Sequence, residues 1–97
     1  MKIRVSRRAI GQISDGAWFY ETQSPGLGKY FRDHILADIR RLEITAGVHE
    51  INSEGLYRSV SRQFPYNIYY LIETDEVVVY AVLDSRRDPN LIREQLN

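Results

Sequence analysis

Seven residues from Val77 to Leu83 read Val-Val-Val-Tyr-Ala-Val-Leu, the most apolar run in the chain. β-Branched and aromatic side chains favour extended backbone, and an apolar run without alternation suits a central strand. A chain that carries such a strand must supply neighbours for its edges and cover for its faces. The segment just before it does the first. Tyr66 to Ile72 is rich in strand formers, and Glu73-Thr74-Asp75-Glu76 separates the two runs as a turn, so a hairpin is predicted. On the earlier strand Tyr66, Ile68, Tyr70 and Ile72 share one face, with Tyr69 and Leu71 on the other.

The cover comes from the first half. Lys2 to Val5 alternates polar and apolar as a short strand, and Ser6 is placed to cap a following helix. Ile10, Ile13, Ala17 and Tyr20 form a helical stripe, while Trp18 lies off it as a second-helix contact or a partner anchor. Ser24-Pro25-Gly26-Leu27-Gly28 breaks the helix. A second one is predicted from Leu27 or Gly28, with Leu27, Phe31, Ile35, Ile39 and Leu42 as its stripe. Two amphipathic helices joined so briefly make an antiparallel hairpin. Thr45 to Gly55 reads as a polar loop, Leu56 to Gln63 as a half-polar strand with Arg58 and Arg62 on one face, and Asp88-Pro89 as the cap and first residue of a terminal helix. The expected fold is α+β, ordered β-α-α-β-β-β with a short C-terminal helix: one domain over residues 1–97, a small antiparallel sheet packed against an N-terminal helical hairpin.

Composition removes several function classes. There is no cysteine, so disulfides, thiol catalysis and zinc–thiolate sites are out. Thirteen cationic residues balance thirteen acidic ones, which argues against a general nucleic-acid binder. All the cations except Lys2 and Lys29 are Arg, and there are seven Tyr, a pairing typical of protein interfaces. His34 and His49 are isolated, with Asp38 the nearest group to pair with His34, so no metal site or cofactor is expected. Pro25-Gly26-Leu27-Gly28 lacks the strand and Lys of a phosphate loop. No secretory signal or membrane-spanning run is visible, and a cytoplasmic location is expected.

Three blocks carry a resemblance. They are Trp18-Phe19-Tyr20-Glu21 leading into Ser24 to Gly28 and Phe31, then Arg62-Gln63-Phe64-Pro65-Tyr66-Asn67-Ile68-Tyr69-Tyr70, then Val77 to Leu83 followed by Asp84-Ser85-Arg86-Arg87-Asp88-Pro89. In this order and spacing they resemble the RelE/ParE superfamily of toxins from type II toxin–antitoxin modules, often labelled plasmid-stabilisation proteins, and most of all the ParE branch. The resemblance implies a small toxin neutralised by a cognate antitoxin whose C-terminal segment wraps it as helix and strand. ParE-type members act on DNA gyrase, and RelE-type members cleave mRNA on the ribosome.

The sequence weighs against the second activity. RelE-type members cleave with basic residues around the middle strands and an aromatic or His near the C-terminus. Here the loop from Gly47 to Gly55 holds Glu50 and Glu54 but no Lys or Arg, and no Tyr or His follows Tyr80. Asp84 stands where many relatives have His, and its carboxylate is placed to pair with Arg86. The expectation is a toxin that binds gyrase without catalysis, with Arg58, Arg86 and Arg87 contacting target or antitoxin. The antitoxin is expected to cover the open sheet face and the helical hairpin. The alternatives are a ribosome-dependent nuclease, with Arg58 on the phosphate and Arg86 on the leaving group, and a non-toxic relative that only binds antitoxin.

Overall fold

The computed structural model describes residues 1–97. The chain folds as β1 (Lys2–Val5), α1 (Arg7–Gln23), α2 (Leu27–Arg40), the single turn α3 (Leu42–Thr45), β2 (Glu50–Ile51), β3 (Tyr57–Val60), β4 (Tyr66–Glu73), β5 (Glu76–Asp84) and α4 (Pro89–Leu96). The α+β architecture is the one expected, and the element order differs from expectation by two additions, the turn α3 and the short strand β2. The five strands lie in the order β1-β5-β4-β3-β2.

The sheet is mixed, because β1 runs parallel to β5 while every other pair is antiparallel. Once β4 holds one edge of β5, the other is free, and β1 takes it in the direction that lets the chain turn into α1. Ser6 makes that turn. Its N–H donates to the Val79 carbonyl at 2.9 Å, and its hydroxyl accepts from the Ala9 N–H at 3.1 Å while donating to the Tyr80 carbonyl at 2.9 Å.

On one face, α1 and α2 close over Ile68, Tyr70, Val77, Val79 and Val82, burying Ile13, Phe31, Ile35 and Ile39. Tyr66 and Tyr70 join them while Tyr69 and Leu71 point the other way, as the strand period requires. Opposite Tyr69 and Tyr70 the register skips a residue, so Tyr80 is bulged out of the ladder. The bulge inverts the alternation: Val77 and Val79 face the helices, and beyond it Val82 does so in place of Ala81.

Two local readings differ. Ile10 is 56% exposed, and the buried stripe of α1 is Ala9, Ile13, Gly16, Ala17 and Tyr20. Close packing against α2 and the sheet selects the small residues, since a Cβ on Gly16 would sit 2.7 Å from the Phe31 ring of α2 and 3.0 Å from the Tyr66 hydroxyl of β4. The segment from Thr45 to Gly55 is also more ordered than a loop. Asn52 Oδ1 accepts from the N–H groups of Glu54 and Leu56 at 3.0 and 2.9 Å, a tight turn that folds Glu50–Ile51 back onto Tyr57 and Arg58.

The far face of the sheet is covered in part by α4. Its N-cap is Asp88, whose carboxylate accepts from the Asn90 N–H, with Pro89 at the first position. Leu96 packs with Leu56, Tyr69, Ala81 and Leu83. The face expected to be open is therefore partly closed by the chain's own last helix. Arg8 holds the helix end, donating to the Gln95 carbonyl at 2.6 Å and to the Tyr80 hydroxyl at 3.1 Å, with its guanidinium 4.8 Å from the Tyr80 ring centre.

Candidate functional site

The three Arg residues singled out in the sequence do not form one site. Arg58 lies on β3 across from Tyr69, with Glu50 as its partner on β2. Arg86 and Arg87 follow the end of β5, where Asp84 opposite Tyr66 is the last strand residue. Arg58 is thus two strands away and at a different level along the sheet. Arg86 is already engaged: its Nε and Nη2 donate to the two Asp84 carboxylate oxygens at 3.1 and 2.8 Å, and its backbone N–H donates to Oδ1 at 2.8 Å. The pairing anticipated from sequence is present. The Arg86 side chain, hydrogen-bonded to it, holds the Asp84 carboxyl below the ordinary carboxylate range, and Asp84 in turn raises Arg86. Arg87 makes no ion pair and stays available.

Arg62 does not share the β3 face with Arg58. The strand ends at Val60, and the chain then turns because Asp38 captures it. This carboxylate is 4% exposed, accepts from the Ser61 hydroxyl at 2.7 Å and the Arg62 N–H at 3.3 Å, and pairs with Arg41 at 2.9 Å. His34 packs at a tilt against Tyr30 instead of pairing with Asp38, their ring centres 4.3 Å apart. His49 Nδ1 lies 2.5 Å from the Tyr70 hydroxyl, which also accepts from the Gly47 N–H at 3.0 Å. Burial lowers the His49 pKa, and burial raises that of Tyr70. Both groups tie the loop after α3 to the sheet. No cluster of three His, Cys, Asp or Glu side chains fit to hold a metal ion is present.

The helical hairpin carries an open surface of apolar and basic side chains. Three clefts follow one another along it, of about 320, 400 and 210 Å³. The first runs from Trp18 and Lys29 to Ser14 and Arg32; the second shares Ser14 and Arg32 and adds Val5, Ile10 and Leu36; the third shares Leu36 and adds Ile3, Ile39, Arg40 and Glu43. Shared linings make them one groove. Trp18, 72% exposed, stands at one end, and Ile10 forms part of the floor. Lys29, Arg32, Leu36 and Arg40 line it because spacings of 3, 7 and 11 residues bring them to one face of α2. Lys29 pairs with Asp33 at 2.6 Å, whereas Arg32 and Arg40 have no acidic group in ion-pair range.

Glycines set the width of the groove. Gly28 lets α2 approach α1 so closely that a Cβ there would lie 2.5 Å from the Ala17 carbonyl oxygen. Glu21 completes the joint, its carboxylate accepting from the N–H groups of Gly26 and Gly28 at the start of α2. Trp18 was legible as a residue off the core stripe; the basic stripe of α2 was equally present in the sequence but was not singled out.

No family model matches this sequence, and no curated protein matches it. Its architecture does have a solved counterpart. A chain from a structure described as the chromosomal ParDE TA system from P. aeruginosa superposes with a TM-score of 0.70, covering 84% of this chain and 92% of that one at 15% sequence identity. This chain therefore shares its fold with a chain of a ParDE system, in keeping with the fold that the three sequence blocks imply.

Proposed function

We propose that this chain is the ParE-like toxin of a type II toxin–antitoxin module. The observation that carries the reading is the hairpin groove. Its floor is apolar, its rim carries Lys29, Arg32 and Arg40, and it follows α2 for about 16 Å between Lys29 and Arg40, or three helical turns. Such a surface fits an amphipathic segment with apolar anchors and acidic flanks, the segment that a cognate antitoxin is expected to supply. The likeness to a chain from a ParDE system supports the same assignment. The far sheet face, expected from sequence as a second antitoxin surface, is partly held by α4, so the groove is the primary contact.

Growth inhibition would follow from binding, with DNA gyrase as the target implied by the resemblance and Arg58 and Arg87, which form no ion pair, as candidate contacts. Arg58 and Arg86 do not converge on a point where a ribose and a phosphate could sit, and no basic residue joins His49 and Tyr70.

The test has two arms. Co-expression with the product of the adjacent reading frame should give a complex that copurifies, and Ile10→Glu should weaken it at least about tenfold while the free protein stays folded. Induction of the chain alone should cause filamentation with gyrase-linked DNA breaks. Arrest with intact DNA and discrete cuts in translated mRNA would replace the gyrase reading by the nuclease one. Normal growth with retained antitoxin binding would leave the non-toxic relative.

A further inference from the structure

A second cleft lies on the opposite side of α1 from the groove, between that helix and the end of the β4–β5 hairpin. It has a volume of about 190 Å³ and is lined in part by Gln12, Asp15, Phe19, Tyr66 and Arg87. On a helix, positions 12, 15, 16 and 19 point about half a turn away from positions 10, 14, 18 and 21, so the two sites are separate and can be filled together.

The polar groups in this cleft are only partly used. Tyr66 is 8% exposed, its ring packed on Phe31 with centres 4.8 Å apart. Its hydroxyl has no hydrogen-bond partner and is not sealed off, so it is the tip that reaches the cleft. Gly16 makes this access possible, since a Cβ there would lie 3.0 Å from that hydroxyl. Gln12 is oriented, because its Oε1 accepts from the Val82 N–H at 2.8 Å and its amide NH2 is left to donate. Asp84 is spent on Arg86. Asp15 and Arg87 form no ion pair with each other or with anything else.

The cleft therefore presents a free anion, a free cation, a buried phenol and an amide donor. A phosphate or carboxylate would meet Asp15, and an ammonium or guanidinium would meet Arg87. A neutral group with a donor and an acceptor side by side opposes neither: its carbonyl can accept from Tyr66, Gln12 or Arg87, and its NH2 can donate to Asp15. Phe19, half exposed at the lip, can cover the planar group. We propose that this cleft is a second protein-binding site that takes the carboxamide side chain of a Gln or Asn from a partner.

The test uses blocked amino acids, since the partner is unidentified. N-acetyl-glutamine N-methylamide titrated into the labelled full chain should give saturable amide shifts at Gly16, Tyr66 and Val82 with millimolar affinity, as its size dictates. The blocked glutamate and lysine analogues should bind at least about fivefold more weakly. Tyr66→Phe, which keeps the ring in the core, and Asp15→Ala, which removes the acceptor at an exposed position, should each weaken the glutamine probe by about fivefold, one hydrogen bond's worth. Equal shifts from all three probes, no saturable shift, or indifference to both substitutions would overturn the proposal. Ile10→Glu, which disables the antitoxin groove, should leave the titration unchanged, so failure of either site is read independently of the other.

Discussion

The two faces of the sheet are closed in different ways. The hairpin side is sealed by a core of fourteen buried residues that includes Phe31, Ile35 and Tyr70, and Tyr20, Phe31, Phe64 and Tyr66 form an aromatic cluster with ring centres 4.8 to 6.5 Å apart. The α4 side has five buried residues, and an eight-residue helix reaches them mainly through Leu96. A helix that short does not hold itself together in water, so its order depends on docking. The difference separates stability from adaptability. The hairpin face sets the fold and stays rigid beneath the partner groove, while the α4 face is the region that opens at least cost.

Truncating one large side chain on each face measures that asymmetry most directly. Phe31→Ala should cost about 3–5 kcal/mol, because the ring is fully buried among aromatic neighbours and the cavity cannot collapse. Leu96→Ala should cost about 2 kcal/mol or less, because α4 can shift to refill the space. Urea unfolding of both variants decides the matter, and equal losses would mean that the two faces form one cooperative core. The rigidity of the hairpin is probed next by Gly28→Ala. A methyl group 2.5 Å from the Ala17 carbonyl oxygen meets backbone, so the helices must separate, at about 1–3 kcal/mol. The same change should widen the groove and weaken antitoxin capture in a pull-down. Unchanged stability would show that the joint between the helices is loose.

The sequence was most legible where chemistry is local. The Ser6 and Asp88 caps, the helix break at Ser24–Gly28 and the turn after Glu73 each rest on a few adjacent residues, and each is found where it was expected. What was hidden depends on distant partners. The parallel pairing of β1 joins residues more than seventy positions apart and leaves no periodic trace. Ile10 fitted the helical period as well as Ala9 did, and only the proximity of the sheet favours the small residue. Arg62 left the β3 face because Asp38, on a different element, captures the chain at Ser61. For the candidate site, Trp18 could be picked out only as lying off the core stripe, with a second-helix contact and a partner anchor both open, and the α2 stripe of Lys29, Arg32 and Arg40 lay open at helical spacing. The cleft around Tyr66 could not be seen, since α1 and the β4–β5 hairpin meet there only in the fold.

The smallest effect is expected at the clasp of α4. Arg8 bonds the Gln95 carbonyl, one of the last on the helix, and lies over Tyr80, so it joins α1 to the end of α4 across the β5 bulge. Arg8→Met keeps the aliphatic stem and removes the charge and the hydrogen bonds. Because the guanidinium is exposed to solvent, its loss should lower the melting temperature by no more than a few degrees. Amide exchange should respond more, with Ile92, Arg93 and Gln95 exchanging about three- to tenfold faster while Ile35 and Val79 keep their protection. Faster exchange at Ile35 and Val79 as well would mean that α4 and the hairpin core open together, and the division between a rigid face and an adaptable one would fail. Unchanged exchange along α4 would place the docking of that helix on Leu96 alone.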